Sequence, residues 1–356
     1  MIANLIKSLY HERTPPAMDS ELFERCMEEI ERFSVAAQVY QLLSETDTLG
    51  SVPAFFRNDL VQKHEKTMFQ NLYIKHQQEA VFAILERANI EVIPLKGILF
   101  AERYFGHFSA RGTSDVDILV AKDDVKRTVE CLRSLGYHGP APYNPIHFHC
   151  VLWKETNHRE SPLNVEVHWG LVKEHHSRMK VKDLWKNSVP VREYQFIREL
   201  SVQNTFYAIC LHGANHRMES FKYVLDIVQM IQRCRREIDY PRLFAQARDD
   251  GTAKRISAVL AYVYQQFPHL HEVKPLDSMR LSCIPPSAIF SKWPLFLLDH
   301  WRDRVGVLIG IVRPPREVAL WHLRDDSKVT ASNVYVRFYQ KRMLKFVAKF
   351  ARRQGG

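Results

Sequence analysis

The chain has 356 residues, of which 46% are hydrophobic and 25% are charged, and its formal net charge is +10. This length allows two or three domains with cores of their own, and the composition is typical of a globular protein rather than a disordered one. The apolar stretch 305–312 is far shorter than the roughly 20 residues of a transmembrane helix, so we expect no integral membrane association.

The cysteines and the first residues bear on the cellular environment. Six cysteines are scattered without a C-x-x-C pair, which argues against a disulfide framework or a cysteine-rich zinc site. The first 16 residues lack the long apolar region and the small-residue cleavage site of a signal peptide. We therefore expect a reduced, cytoplasmic protein.

Helical patterns dominate residues 1–89, which we predict to form an N-terminal helical region. Leu22, Cys26 and Ile30 recur at helical spacing after the capping candidate Asp19. A second helical pattern runs from residue 59 to residue 88, and a loop is predicted between the two. We find no pattern typical of a catalytic site here, so we expect these helices to serve packing.

Strands and helices alternate in residues 90–192, which predicts a compact mixed α/β domain. A turn is predicted at Lys96 and Gly97, followed by a helix to about residue 105. Asp123 is a capping candidate for a later helix that ends at Gly136. Four strands are predicted, over residues 90–95, 111–120, 147–153 and 163–169.

Three acidic residues fall on two of these strands. Successive side chains of a strand point to opposite faces, so Asp115 and Asp117 share one face, opposite apolar neighbours such as Val116. Glu166 lies opposite the apolar side of its own strand. Three carboxylates on neighbouring strands can hold two Mg²⁺ ions, or Mn²⁺, for phosphoryl transfer. A strand end with solvated aspartates is the alternative explanation.

Positively charged and small residues near these strands are candidates for binding a triphosphate. Gly97 is predicted at a strand-to-helix turn, where a glycine lets phosphate approach the backbone and a helix N-terminus favours an anion. Lys96 and Arg111 offer positive charge. Ser114 is the fourth candidate nucleotide-binding residue. A turn without a binding role is the alternative for Lys96 and Gly97.

The motifs LKGILFAERYF, RGTSDVDILV, LGY and VEVHW, in this order, resemble a family of bacterial nucleotidyltransferases within the DNA polymerase β-like superfamily. The resemblance covers residues 90–169 and, more loosely, the helices to about residue 233. It implies an α+β fold, in which a polymerase β-like domain with a mixed sheet and flanking helices lies between N-terminal and C-terminal helical regions.

The resemblance also implies roles for the candidate site residues. It places Lys96 and Gly97 at the nucleotide-phosphate turn and three carboxylates at the metal positions, namely Asp115, Asp117 and Glu166. The chain departs from most of the superfamily at the turn, because Ile98 follows Gly97 where glycine or serine is usual. The gap from this turn to the aspartate strand is also longer than usual. Both departures bear on the phosphate contacts more than on the metal site.

The residues 193–333 are predicted to form a C-terminal helical domain. His212 and His216 are four residues apart and share a helix face. With Asp226 they allow three interpretations: a phosphohydrolase metal site, histidines bonded within a helical core, or side chains that face the substrate. Gly213 weakens a helix between the two histidines.

Residues 334–356 form a basic tail with seven basic side chains and no acidic one, so the preceding 333 residues carry only +3. Lys341 and Lys345 belong to a basic stripe, and Tyr339 and Met343 belong to an apolar one. A solvated terminal helix is one interpretation. The other is electrostatic contact with RNA, an anionic acceptor or a membrane surface.

Together these features predict a nucleotidyltransferase that moves a nucleoside monophosphate from an NTP to an acceptor hydroxyl or phosphate and releases pyrophosphate. Asp115 and Asp117 would bind both metals, Glu166 would bind the catalytic metal, and His168 would orient Glu166 or the acceptor. We favour a small-molecule or peptide-like acceptor. The alternatives are a toxin-like enzyme that modifies RNA or tRNA, and a catalytically silent nucleotide-binding protein.

Overall fold

The structure is a computed structural model, and it describes residues 1–139, 147–156, 161–173, 176–192, 194–277, 286–290, 294–324, 326, 328–330 and 332–354. Four helices build the N-terminal part: Ile2–His11 (α1), Ser20–Phe33 (α2), Ala36–Glu45 (α3) and Ala54–Arg87 (α4). The side chain of Asp19 caps α2 by accepting a hydrogen bond from the backbone of Leu22, as its position in the sequence indicated. α4 begins directly after Pro53, earlier than its apolar pattern suggested.

A four-stranded mixed sheet follows, and all four predicted strands are present. Its strands are Val92–Pro94 (β1), Asp115–Val120 (β2), His149–Lys154 (β3) and Leu163–His168 (β4). Their spatial order is β1-β2-β4-β3, in which β2 and β4 run parallel while the two outer pairings are antiparallel. Between β1 and β2, a short helix Ile98–Phe100 (α5) continues into a π-helical turn at Ala101–Phe105. This mixed sheet among many helices is an α+β fold.

One face of the sheet is closed by helices. Val116, Val165 and Val167 point to this face and pack with apolar residues of α4 and of the helix Val125–Ser134 (α6). The prediction that Asp123 caps α6 was wrong, because Asp123 lies in a preceding 3-10 turn and Asp124 occupies the N-cap position without a side-chain hydrogen bond. The opposite face, which carries the acidic residues, is therefore the one left to form a site.

Helices make up most of the rest of the chain. Gly213 lies inside Val202–Asn215 without ending it, and a Cβ at this position would come within 2.6 Å of the Met218 sulfur. The glycine therefore serves close packing.

The helices that follow the sheet in the described residues are Lys182–Trp185 (α7), Val202–Asn215 (α8), Phe221–Cys234 (α9), Tyr240–Asp249 (α10), Ala253–Gln266 (α11), Leu270–Val273 (α12), Trp301–Val312 (α13), Arg316–His322 (α14) and Val334–Gln354 (α15). A small ladder joins Val189–Pro190 (β5) to Arg198–Glu199 (β6).

Two large apolar cores lie in the described residues. One combines the N-terminal helices with α8 to α11, and the other fills the space between the sheet, α4 and α6.

The division of the chain into domains at residues 89, 192 and 333 stays a prediction. None of the helices in the described part of the chain is both long and apolar enough to cross a membrane. Cys283, one of the six cysteines, lies outside the described residues.

Candidate active site

The parallel pairing of β2 and β4 brings the acidic residues together. Asp117 lies directly across from Glu166, and Asp115 lies two residues earlier on the same face of β2. Asp117 is only 1% exposed, whereas Asp115 and Glu166 are half-buried. The three carboxylates thus share one face of the sheet and line one cavity, as their alternation with apolar residues indicated.

The loop that leads into β2 is fixed by α4. The buried side chain of Asn71 donates hydrogen bonds to the carbonyl oxygens of Phe108 and Arg111, and it accepts one from the backbone of Thr113. Gln70 of the same helix donates to the Thr113 carbonyl. These bonds satisfy loop groups that would otherwise lack partners, so they hold the backbone before Asp115 in one position.

Lys96 is placed by the turn after β1 and pairs with the aspartates. Its Nζ lies 2.7 Å from Asp117 Oδ2 and 3.7 Å from Asp115 Oδ2. The shorter contact is an ion pair rather than a well-directed hydrogen bond. Burial would raise the pKa of Asp117, but the Lys96 charge and a hydrogen bond from His168 hold it well below its usual range. Burial and the charge of Asp117 raise the pKa of Asp115, so the two carboxylates differ in proton affinity.

His168 connects two of the carboxylates. Its Nε2 lies 3.1 Å from Asp117 Oδ1 and 3.3 Å from Glu166 Oε2. Burial would lower the pKa of His168, but the hydrogen bonds to both carboxylates outweigh it and raise the pKa. His149 faces His168 from β3 with ring centroids 5.0 Å apart. Burial, followed by the charge of His168, lowers the pKa of His149 to about 4.

The side chains of Asp117, Glu166 and His168 form a group that could hold a metal ion. Each offers one ligand atom, and these atoms lie within 4.8 Å of one another. Two carboxylates and an imidazole suit Mn²⁺ and, with further water and phosphate oxygens, Mg²⁺. The buried Asp117 Oδ2 accepts no well-directed hydrogen bond from the described residues and lies 2.7 Å from the Lys96 ammonium, so a positive charge already faces this oxygen. The donor set therefore fits a divalent metal.

A cavity of about 250 Å³ opens over this face of the sheet. Lys96, Arg111 and Ser114 reach it from the sheet side, together with the acidic residues. Helices α8 and α9 form the opposite wall with Ala208, Ile209, His212, Asn215, His216, Lys222 and Tyr223. Four of the sequence-predicted site groups thus meet at one cavity: the three carboxylates, His168, Lys96 and the Arg111–Ser114 pair.

The geometry of Arg111 adds a partner that its sequence position did not indicate. Its Nε and Nη2 each lie 2.7 Å from an oxygen of Asp226 on α9, and both side chains are buried. Burial would lower the pKa of Arg111, but the Asp226 carboxylate raises it. This bidentate pair ties the loop before β2 to the helical wall. It also gives Asp226 a role that differs from metal binding.

Gly97 adopts a conformation that favours glycine. Its φ is +86° and its ψ is −137°, and it precedes the three-residue helix α5. A Cβ would meet only ordinary contacts, the nearest being Thr113 Cγ2 at 3.5 Å. A side chain at position 97, such as valine, would therefore strain the backbone even though there is space for its Cβ.

Lys222 is the most informative residue that the sequence analysis missed. It lines the cavity from α9, one helical turn before Asp226. Burial, followed by the charge of Arg111, lowers its pKa to about 7. The available signal was the spacing in the mainly apolar stretch FKYVLDIVQM, where Lys222 lies four residues before Asp226 and therefore shares its helix face.

The two helix histidines also line the cavity. The rings of His212 and His216 lie 4.5 Å apart, and Tyr223 contacts both. Burial keeps the pKa of His212 well below its usual range, so the imidazole is neutral. Among the described residues, the metal-capable group is the one on the sheet, so the site-facing interpretation of this pair is favoured over the phosphohydrolase one.

Comparison with known proteins places the chain in a family. It matches the model of the uncharacterised nucleotidyltransferase family over residues 19–268. Among solved structures it is similar to JHP933 from Helicobacter pylori, with 12% sequence identity and a TM-score of 0.32, over 68% of this chain and 98% of that one. No curated protein matches it. The family match includes the whole sheet, the acidic residues and the helical wall of the cavity, and the chain therefore belongs to the uncharacterised nucleotidyltransferase family.

Proposed function

We propose that this protein is a divalent-metal-dependent nucleotidyltransferase that transfers a nucleoside monophosphate from an NTP to a hydroxyl or phosphate of a small or peptide-like acceptor. The observation that carries the proposal is the meeting of Asp115, Asp117 and Glu166 at a cavity that also holds Lys96 and Lys222. The sheet and its flanking helices, in residues 90–192, would form a polymerase β-like catalytic domain. The helical region after it would complete the cavity wall through α8 and α9, and α4 of the region before it would fix the loop that leads into β2.

In the proposed reaction, the acceptor oxygen attacks the α-phosphorus of the NTP. The bond from the α-phosphorus to the bridging oxygen breaks, and pyrophosphate leaves with that electron pair. A bound Mg²⁺ or Mn²⁺ supplies Lewis-acid stabilisation of the charged oxygens. Asp117, Glu166 and His168 form the metal-capable group and would hold the metal, and Asp115, on the same face of β2, would be a further ligand.

The protein's other side chains would bind and orient the reactants. Glu166 is positioned to accept the acceptor's proton, and His168 at 3.3 Å keeps that carboxylate directed into the cavity. Lys96 and Lys222 approach from opposite walls and would neutralise phosphate charge. Arg111 is engaged with Asp226, so its proposed contribution to nucleotide binding is mainly to fix the loop that carries Ser114. Gly97 would shape the turn that presents Lys96.

A second candidate is a toxin-like nucleotidyltransferase acting on RNA or tRNA. The observation that favours it is the basic tail, with seven basic residues and no acidic one. A catalytically silent nucleotide-binding protein is disfavoured by the presence of all three carboxylates at one cavity.

The test is incubation with NTPs labelled at the α-phosphate, Mg²⁺ or Mn²⁺, and candidate acceptors that include metabolite extract, peptides and RNA. The substitution Asp117→Asn should lower turnover by more than about 100-fold, since even outer-shell partners of metal sites contribute about 10–100-fold. Asp249→Asn, at an exposed aspartate at the end of α10, is the matched control and should leave turnover unchanged. Full turnover in Asp117→Asn would refute the proposal, and NTP binding without any transfer would favour the silent alternative.

A further inference from the structure

The C-terminal segment 301–356 holds nearly all of the chain's excess charge. It contains 13 basic and four acidic residues, so it carries +9 of the net +10. The 300 residues that precede it, which include the whole candidate active site, are nearly neutral. The segment also lies after residues 19–268, which match the family model. This charge therefore belongs to a part of the chain other than the catalytic sheet.

The same segment exposes an unusual amount of apolar surface. Helix α13 has no buried residue, although most of its side chains are apolar. Trp301 is 67% exposed and Val312 is 68% exposed, and helical spacing places both on one face with Val305 and Leu308. On α15, Met343 is likewise 68% exposed. Of the 18 large apolar side chains that are exposed in the described residues, 11 lie between residues 301 and 344.

The three last helices hold together as one unit, which we term the C-terminal lobe (residues 301–354). α14 packs on α15 through Ala319, Leu323, Val334 and Phe338. α15 is tied to the end of α13 by a hydrogen bond from the Tyr335 hydroxyl to the Pro314 carbonyl, at 3.0 Å. The Tyr339 hydroxyl donates another to the Val312 carbonyl. The exposed apolar faces, and the basic residues as far as Arg342, thus belong to a folded lobe.

The chemistry of this surface selects one kind of partner. Phosphate groups of a nucleic acid would satisfy the positive charge, and Trp301 could stack on a base. The rest of the exposed α13 surface is aliphatic, however, and side chains such as Leu308 and Ile309 gain nothing from phosphates and cannot stack on bases. A second copy of the lobe would cover the apolar faces, but it would bring two strongly positive surfaces together. An anionic bilayer offers both an apolar interior and negative headgroups.

We propose that the C-terminal lobe docks this protein on the surface of an anionic lipid bilayer. The apolar face of α13 enters the boundary between headgroups and acyl chains, and the basic residues of α15 lie against the headgroups. With 12 residues, α13 is about 18 Å long, shorter than the roughly 30 Å apolar core of a bilayer, so it lies in the interface. The proposal is independent of the transferase activity.

The test is co-sedimentation of the full-length protein with vesicles of phosphatidylcholine alone or of phosphatidylcholine mixed with phosphatidylserine. We expect binding to the mixed vesicles only, and weaker binding at high salt. Ile309→Ser combined with Val312→Ser should lower the partition coefficient by more than about tenfold, because two aliphatic side chains no longer enter the interface. Phe69→Ser with Leu72→Ser is the matched control, since these α4 side chains are 66% and 53% exposed.

A second variant removes charge and keeps the apolar faces. Lys341→Gln, Lys345→Gln and Lys349→Gln together should weaken binding by about fivefold for each charge removed. Equal binding to neutral and anionic vesicles would overturn the proposal, as would vesicle binding that neither variant reduces. Absence of vesicle binding would also overturn it, and RNA gel shifts or concentration-dependent self-association lost in Ile309→Ser would then identify the partner.

Discussion

Asp226→Ala removes one half of the buried ion pair that joins α9 to the loop before β2. The remaining Arg111 guanidinium is 2% exposed and would be left without its bidentate partner. Breaking a buried pair in this way costs about 3–5 kcal/mol, because the surviving charge stays desolvated. We therefore expect the free energy of unfolding to fall by about that amount.

The double substitution Arg111→Met with Asp226→Leu separates the charge from the packing. Both charges are removed and apolar volume is kept, so the double variant should be more stable than Asp226→Ala by about 2 kcal/mol or more. The assay is urea-induced unfolding followed by circular dichroism, with the denaturant slope checked for each variant. Asp124→Ala is the control, because its pair with Arg127 has a similar 2.8 Å distance but lies at the surface and should contribute less than about 1 kcal/mol.

A loss below about 1 kcal/mol in Asp226→Ala would refute the reasoning, because the site would then be hydrated or able to rearrange. Additive effects in the double variant would refute it as well. The double variant also bears on nucleotide binding. If it folds and binds NTP as tightly as the unaltered protein, Arg111 acts only through the loop; weaker binding would show a direct contribution of its charge.

Three further predictions concern the candidate site. Gly97→Ala should destabilise the protein by about 1–3 kcal/mol in thermal unfolding, because φ of +86° is strained for alanine; Gly50→Ala, where a Cβ meets nothing within 4 Å, should not. Chelation with EDTA should abolish transfer, and Mg²⁺ or Mn²⁺ should restore it; transfer that persists in EDTA would exclude a metal role. Because the pKa of Lys222 is lowered to about 7, its positive charge is present below that pH and lost above it. The advantage in NTP affinity over Lys222→Met, measured by calorimetry, should therefore shrink as pH rises through about 7, and a constant advantage would contradict this role.

Local pattern explains what could be predicted from the sequence. Alternation of apolar and polar residues placed Asp115, Asp117 and Glu166 on the correct faces of their strands, since side-chain direction follows from strand geometry alone. The order of the strands in the sheet depends on contacts between distant segments, so it did not follow from the pattern. The partner of Arg111 was missed for the same reason, because Asp226 lies on a distant helix.

Turn chemistry was predicted less well than strand direction. Asp123 and Asp124 are equally good capping residues in a sequence, and the 3-10 turn that decides between them is a tertiary result. Lys222 was overlooked because a single lysine in an apolar helix usually reaches solvent. Only the packing of α9 over the sheet directs it to the cavity.

The parallel pairing of β2 with β4 has a consequence for the order in which the protein folds. A parallel pair cannot be closed by a tight hairpin, and here α6 and β3 intervene in the chain between the two strands. Asp117 and Glu166 therefore meet only after a long loop has closed, which is an entropically costly and late event. A slip of one residue in that pairing would set Val165 or Val167 beside Asp117 and turn Glu166 into the apolar core. Any chemistry that these carboxylates perform thus begins only when β4 has docked in one register, so activity regained on refolding would report that late step.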